Sequence, residues 1–279
     1  MKLEPLLTGL SFGEGPRWRD NRLYFSDFYV HQVRTVDESG RAETVVEVPG
    51  RPSGLGWRPD GTMLIVSMTD RRLMRFSGGE LTVEAELKPL ATGHCNDMVV
   101  DAKGRAYVGN FGFDRHAGEP QRPAVLVRVD PDRSVHKAAD ELMFPNGTVI
   151  TPDGKTMIIG ETFAKRLTAF DIAADGSLSN RRLWAETPNC NPDGICLDAE
   201  GGIWVTGAFT HHMVRVLEGG KITHDLDLGA RAAYACMLGG VDRRTLFVIT
   251  NSGSGPAIAD KRDGRIETIR VDVPGAGLP

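Results

Sequence analysis

The chain has 279 residues, 33 of them glycine, with 25% charged and 41% hydrophobic side chains. That glycine share is about twice the usual one, while the rest of the composition is that of a folded chain, which excludes disorder and collagen-like repeats. A net charge of −4, no basic cluster longer than Arg71-Arg72 or Arg181-Arg182, and no apolar run near the ~18 residues of a membrane helix argue against nucleic-acid and membrane partners.

In chain order, Met1-Lys2-Leu3-Glu4-Pro5 holds no signal-peptide core, so the expected compartment is the cytoplasm. Residues 3–7 read as a strand. One phrase then recurs: a small polar or acidic residue, an apolar stretch, a tight turn, and a second apolar run. Its copies are residues 14–18 with 23–25, 53–57 with 63–66, 96–100 with 106–108, 146–150 with 157–159, and 193–197 with 203–205. A degenerate sixth is 237–241 with 246–249. The turn residues Asn21, Gly61, Gly104, Gly154, Gly201 and Arg244 fall 40, 43, 50, 47 and 43 residues apart. Pairs of β-branched and aromatic runs joined by such turns are hairpins, and further strands follow in each unit, as at 125–129 and 167–170.

Four short strands per repeat, six times over, predict an all-β fold: a six-bladed β-propeller with four-stranded antiparallel blades, one domain over residues 1–279. A propeller must close its ring or expose a sheet edge, so residues 3–7 are expected to join the last blade, beside 265–271. Residues 273–279 are expected to be a tail. The four cysteines, Cys95, Cys190, Cys196 and Cys236, are too few to staple this chain and read as free thiols, and the Cys190/Cys196 spacing offers no zinc site.

The residue opening each repeat carries the chemistry. Counted back from the turns, Glu14, Ser53, Asn96, Asn146 and Asp193 occupy equivalent places. A single one could be a turn residue starting a strand. Five of six, each beginning the innermost strand of its blade, would converge on one end of the central channel. Two carboxylates and two carboxamides there suit one hard divalent cation, Ca²⁺ first, with Mg²⁺ and Mn²⁺ left open. No histidine occupies the six positions, which argues against zinc. Without a cation, two inward carboxylates would repel and one pKa would rise.

Gly13-Glu14-Gly15-Pro16-Arg17-Trp18, Ser53-Gly54-Leu55, Asn96-Asp97, Pro145-Asn146-Gly147, Pro192-Asp193-Gly194 and Cys236-Met237-Leu238-Gly239-Gly240 together resemble the gluconolactonase/regucalcin (senescence marker protein) family of six-bladed propellers, from about Glu4 to Asn251. The resemblance implies that Glu14, Asn146 and Asp193 ligate a divalent metal, usually Ca²⁺ or Zn²⁺. It further implies that Asn96 contacts metal or substrate, that Asp193 also serves as base, and that the chemistry is lactone hydrolysis, with relatives cleaving phosphoester-like bonds. The residues agree: a cation can polarise an ester carbonyl and acidify a water, and a carboxylate beside it can take the proton. No Gly-x-Ser-x-Gly elbow occurs, which favours direct water attack on a small-molecule lactone or ester over an acyl-enzyme.

One departure bears on substrate. Sugar-lactonase members often carry an arginine two residues before the equivalent of Asn96; here that place holds His94. His94 reads either as a core or rim group or as one that orients substrate or assists proton transfer. Phe111 and Phe113 read as pocket-lining or core rings, and Arg51 as a solvated group or one reaching the substrate. His211, His212 and Glu161 read as blade-surface or inter-blade groups. The rival functions are phosphotriester hydrolysis on the same fold and a non-catalytic propeller that binds metal or protein.

Overall fold

The computed structural model describes residues 2–114 and 117–279. Among these described residues, twenty-four strands make six four-stranded antiparallel sheets. The first blade runs outward through Gly13–Arg19, Arg22–Asp27, Gln32–Val36 and Ala42–Glu47. The next four repeat that order, with innermost strands Pro52–Trp57, Cys95–Val100, Pro145–Ile150 and Asn191–Leu197. The sixth blade takes three strands from the end of the chain, Ala232–Gly239, Thr245–Asn251 and Gly264–Arg270, and its outermost strand, Glu4–Leu10, from the beginning. Glu4 pairs with Thr268 and Leu10 with Gly264, so the two ends of the chain close the ring as expected.

Each innermost strand packs against its two neighbours around the axis. Such close packing leaves little room for side chains, and this explains glycines in the repeat. A Cβ on Gly54 would lie 2.5 Å from the Met98 amide nitrogen, and one on Gly147 would lie 2.4 Å from the Asp193 carbonyl oxygen. Apolar wedges fill the space between blades: Leu64, Val66, Met98, Val100 and Val108 between the second and third, and Val149, Ile158, Ile195 and Val205 between the fourth and fifth. Trp18 stacks on Phe247 with ring centroids 5.2 Å apart, joining the first blade to the sixth.

Two further features of the channel are tertiary. Arg17 is buried and donates Nε to the Leu55 carbonyl (2.8 Å), Nη1 to the Pro16 carbonyl (2.8 Å), and Nη2 to Asp97 Oδ1 (2.7 Å) and the Met98 carbonyl (2.6 Å). It thereby ties the first three innermost strands together. Residues 273–279, expected as a tail, are docked across the far ends of the innermost strands. The Ala276 amide donates to the Leu197 carbonyl (2.9 Å), the Gly275 amide to the Arg243 carbonyl (2.9 Å), and Leu278 exchanges two bonds with Ile150. The physical reason is plain: exposed strand ends offer unpaired backbone groups, and the segment satisfies them. Among the described residues no helix is long and apolar enough to cross a membrane. All four cysteines are free and buried.

Candidate active site

The geometry begins with a backbone irregularity repeated six times. In every blade the pairing of the innermost strand with the next slips a register at its start: between Glu14 and Arg17, Pro52 and Leu55, Cys95 and Met98, Pro145 and Thr148, Pro192 and Ile195, and Ala233 and Ala235. A bulge of this kind re-aims one side chain out of the regular alternation. It falls on the residues that open the repeats.

Four of those residues form one chain of hydrogen bonds across four blades. Ser53 Oγ donates to Asn96 Oδ1 (3.0 Å), Asn96 Nδ2 to Asn146 Oδ1 (2.8 Å), and Asn146 Nδ2 to Asp193 Oδ1 (2.5 Å). All are buried, as is Glu14. The Glu14 carboxyl is held well above the usual range, first by burial and then by the negative charges of Asp193 and Asp97, against a smaller lowering by the Gly15 amide and Arg17. The repulsion anticipated from sequence is therefore present.

Glu14, Asn96 and Asp193 face a cavity of about 180 Å³ whose other walls are aromatic: Phe12, Phe28, Tyr29, Phe111, Phe144, Phe209 and Tyr234, with Met68. Phe12 and Tyr234 have centroids 4.6 Å apart, and Phe111 and Phe144 4.3 Å. Two of these rings share a place in the repeat: Phe12 and Phe144 stand two residues before Glu14 and Asn146, where other blades carry Arg51, His94 and Asn191, whereas Tyr234 sits at the register slip of the sixth blade. Buried polar groups at the ends of the second strands hold their loops. Asp27 Oδ1 accepts from the Ser11 amide (3.0 Å) and the Phe12 amide (3.2 Å). Asn251 Nδ2 donates to the Ser11 carbonyl (3.1 Å), and Glu161 Oε2 accepts from the Met143 amide (2.8 Å), next to Phe144.

The candidates from sequence divide accordingly. Glu14, Asn96, Asp193 and Phe111 line the cavity, and Asn146 lies buried between Asn96 and Asp193. Arg51 and His94 do not line it. Arg51 has a left-handed backbone (φ 66°), and its guanidinium lies over the rings of Tyr29 (5.2 Å) and Phe28 (5.8 Å). The His94 ring lies 6.4 Å from that of Phe111. Both thus reach the cavity through an aromatic neighbour. Phe113 is buried beside Phe163 (6.0 Å), the core alternative. Glu161 is wholly buried, not at the blade surface. Burial pushes its carboxyl up, but Arg166, the Met143 amide and Thr168 outweigh this and lower it. His211 Nδ1 bonds the Arg231 carbonyl of the next blade (3.0 Å), and His212 meets Asp225 (2.8 Å) on its own blade. The sequence reading missed Phe12, Phe144 and Tyr234, although the shared place of Phe12 and Phe144 two residues before Glu14 and Asn146 was a usable signal.

Two carboxylates and amide oxygens are donor types that a hard cation accepts, and here burial and acidic neighbours outweigh the Gly15 amide and Arg17 at Glu14. Among the described residues no group of three or more His, Cys, Asp or Glu gathers. In the present hydrogen bonding Asn146 turns Nδ2 toward Asp193. Sharing a cation with Asp193 uses the other end of that amide.

A six-bladed propeller with an acidic, amide-bordered channel mouth is the class that this fold and site define. The chain belongs to the SMP-30/gluconolactonase/LRE-like family, whose model matches residues 12–252. It is 26% identical over 279 aligned residues to 6-deoxy-6-sulfogluconolactonase of Pseudomonas putida, with 96% of this chain and 94% of the relative covered. It is 28% identical over 254 residues to regucalcin of Gallus gallus, with 86% and 83% covered. The solved structure of a calcium-binding protein, regucalcin, from Agrobacterium tumefaciens shares the fold, with TM-score 0.81 and 22% identity over 97% of this chain and 93% of that one.

Proposed function

We propose that this protein opens a lactone by divalent-cation-assisted attack of water. The observation that carries the reading is the convergence of Glu14, Asn96 and Asp193 on one cavity, with Asn146 bonded to two of that set. Kinship with a sulfogluconolactonase supports the lactone, and kinship with proteins named regucalcin, one solved as calcium-binding, supports the cation.

In this reading Glu14, Asn146 and Asp193 hold the cation, Ca²⁺ by the chemistry of the donors. Bound there, it supplies Lewis-acid polarisation of the ester carbonyl and a lowered pKa for water. The Asp193 carboxylate accepts a proton as the water oxygen bonds to the carbonyl carbon. The ring C–O bond then breaks, and its oxygen takes up a proton, giving the open hydroxy acid. Asn96, which lines the cavity and donates Nδ2 to Asn146, orients the ester oxygen. His94 and Arg51 act through the rings they contact. The cytoplasm is the proposed compartment.

Initial rates on a lactone panel with chelator, and with Ca²⁺, Mg²⁺, Mn²⁺ or Zn²⁺ restored, test the proposal. The expected result is loss of activity with chelator and recovery with Ca²⁺. Activity indifferent to chelator, with no bound metal by elemental analysis, would refute the cation. Failure to open any lactone would refute the reaction.

A further inference from the structure

We infer, resting on the lactone-hydrolase reading, that the substrate of this site is a neutral lactone bearing a flat apolar ring, selected by Phe12, Phe111, Phe144 and Tyr234 over polyhydroxylated sugar lactones. Three observations carry this. The first is the lining. Apart from Glu14, Asn96 and Asp193, the only polar side-chain atoms among the described lining residues are the hydroxyls of Tyr29, Tyr234 and Ser254. A sugar lactone presents several hydroxyls, and a site that selects one by its hydroxyls needs partners for them. The described lining also includes no lysine or arginine that could meet a sulfonate or carboxylate, and the Arg51 guanidinium lies over Tyr29 and Phe28.

The second observation is size. About 180 Å³ is close to the ~150 Å³ of an apolar cavity that takes up benzene, so one aromatic ring with a fused or attached lactone fits. The third is Phe209. This phenylalanine lines the cavity, is 46% exposed as a residue, and is held in the left-handed region (φ 64°), costly for a bulky residue. Strain kept at a ligand clamp is a functional arrangement, and what it keeps here is one more apolar surface.

The test compares dihydrocoumarin with glucono-1,5-lactone at saturating Ca²⁺ for the wild type, Phe111→Ala and Phe209→Ala. Both positions are partly exposed, so the variants keep the fold, which a melting curve verifies. The expected wild-type kcat/KM favours dihydrocoumarin by tenfold or more. In at least one variant that ratio falls about tenfold through a higher KM for dihydrocoumarin, the scale of losing apolar contact in a specificity pocket. Equal or better use of gluconolactone overturns the inference and leaves the lactonase reading intact. A preference unchanged in both variants overturns the assignment to these rings. If neither lactone is opened, the reaction reading fails, and calorimetric titration with 2-naphthol and gluconate decides the cavity's preference. Tighter 2-naphthol, weakened by Phe111→Ala, sustains the apolar site; tighter gluconate, or no 2-naphthol binding, overturns it.

Discussion

The two ends of the innermost strands are built from the same six segments and differ in how their charges are treated. Toward the end where the strands finish, the Arg17 guanidinium has four acceptors, Asp97 Oδ1 among them, and docked residues 273–279 satisfy backbone groups that would otherwise be bare. At the end where the strands start, Glu14 and Asp193 face a cavity, and the Glu14 carboxyl is driven upward by burial and by its acidic neighbours. One end is compensated and stable. The other is left with negative charge that a cation and a substrate would complete, as expected when perturbed groups collect at a functional site.

The largest expected effect breaks the acidic end. Asp193→Asn keeps an oxygen but removes charge and base, so kcat falls by roughly two to four orders of magnitude, and excess metal does not restore it. Asn146→Ala loses a neutral group and regains part of its rate at high metal. Metal-saturation curves of the initial rate separate the two; near wild-type kcat for Asp193→Asn at saturating Ca²⁺ would make Asp193 a ligand only.

The far end answers chiefly in stability, although Arg17 and Asp97 also act on the Glu14 carboxyl. Arg17→Ala strands the buried Asp97 carboxylate and is expected to cost about 3–5 kcal/mol, read from the urea midpoint at constant m. Deleting residues 272–279 removes a handful of backbone bonds, at about 1 kcal/mol each when half-compensated by water, for a loss on the order of 2 kcal/mol. If the two ends are as separate as their chemistry, KM is unmoved by this deletion. A changed KM would show that the ends are coupled.

The smallest effect concerns the thiols. Burial pushes Cys95 and Cys190 up to about 12, so at pH 8 almost no thiolate exists at either. Native protein should resist iodoacetamide at these positions for hours, and urea should release all four cysteines to labelling by mass spectrometry. Fast native labelling at Cys95 or Cys190 would place that thiol nearer solvent than the packing allows.

What could be read directly from the chain was whatever repeats locally. Strand period, turn residues and the interval between them depend on neighbours a few residues apart, so six four-stranded blades and the equivalence of Glu14, Ser53, Asn96, Asn146 and Asp193 were legible without coordinates. Ring closure by Glu4–Leu10 was legible too, because an open propeller leaves an edge. Contacts that span blades were not. Arg17 meets Asp97 across 80 residues of chain, and the docking of residues 273–279 on Ile150 and Leu197 has no local pattern. The same limit separated Phe111, which reaches the cavity, from His94 and Arg51, whose side chains turn onto neighbouring rings. Which of several plausible side chains faces a shared cavity is decided by bulges, backbone sign and packing between blades, and these exist only once the ring has closed.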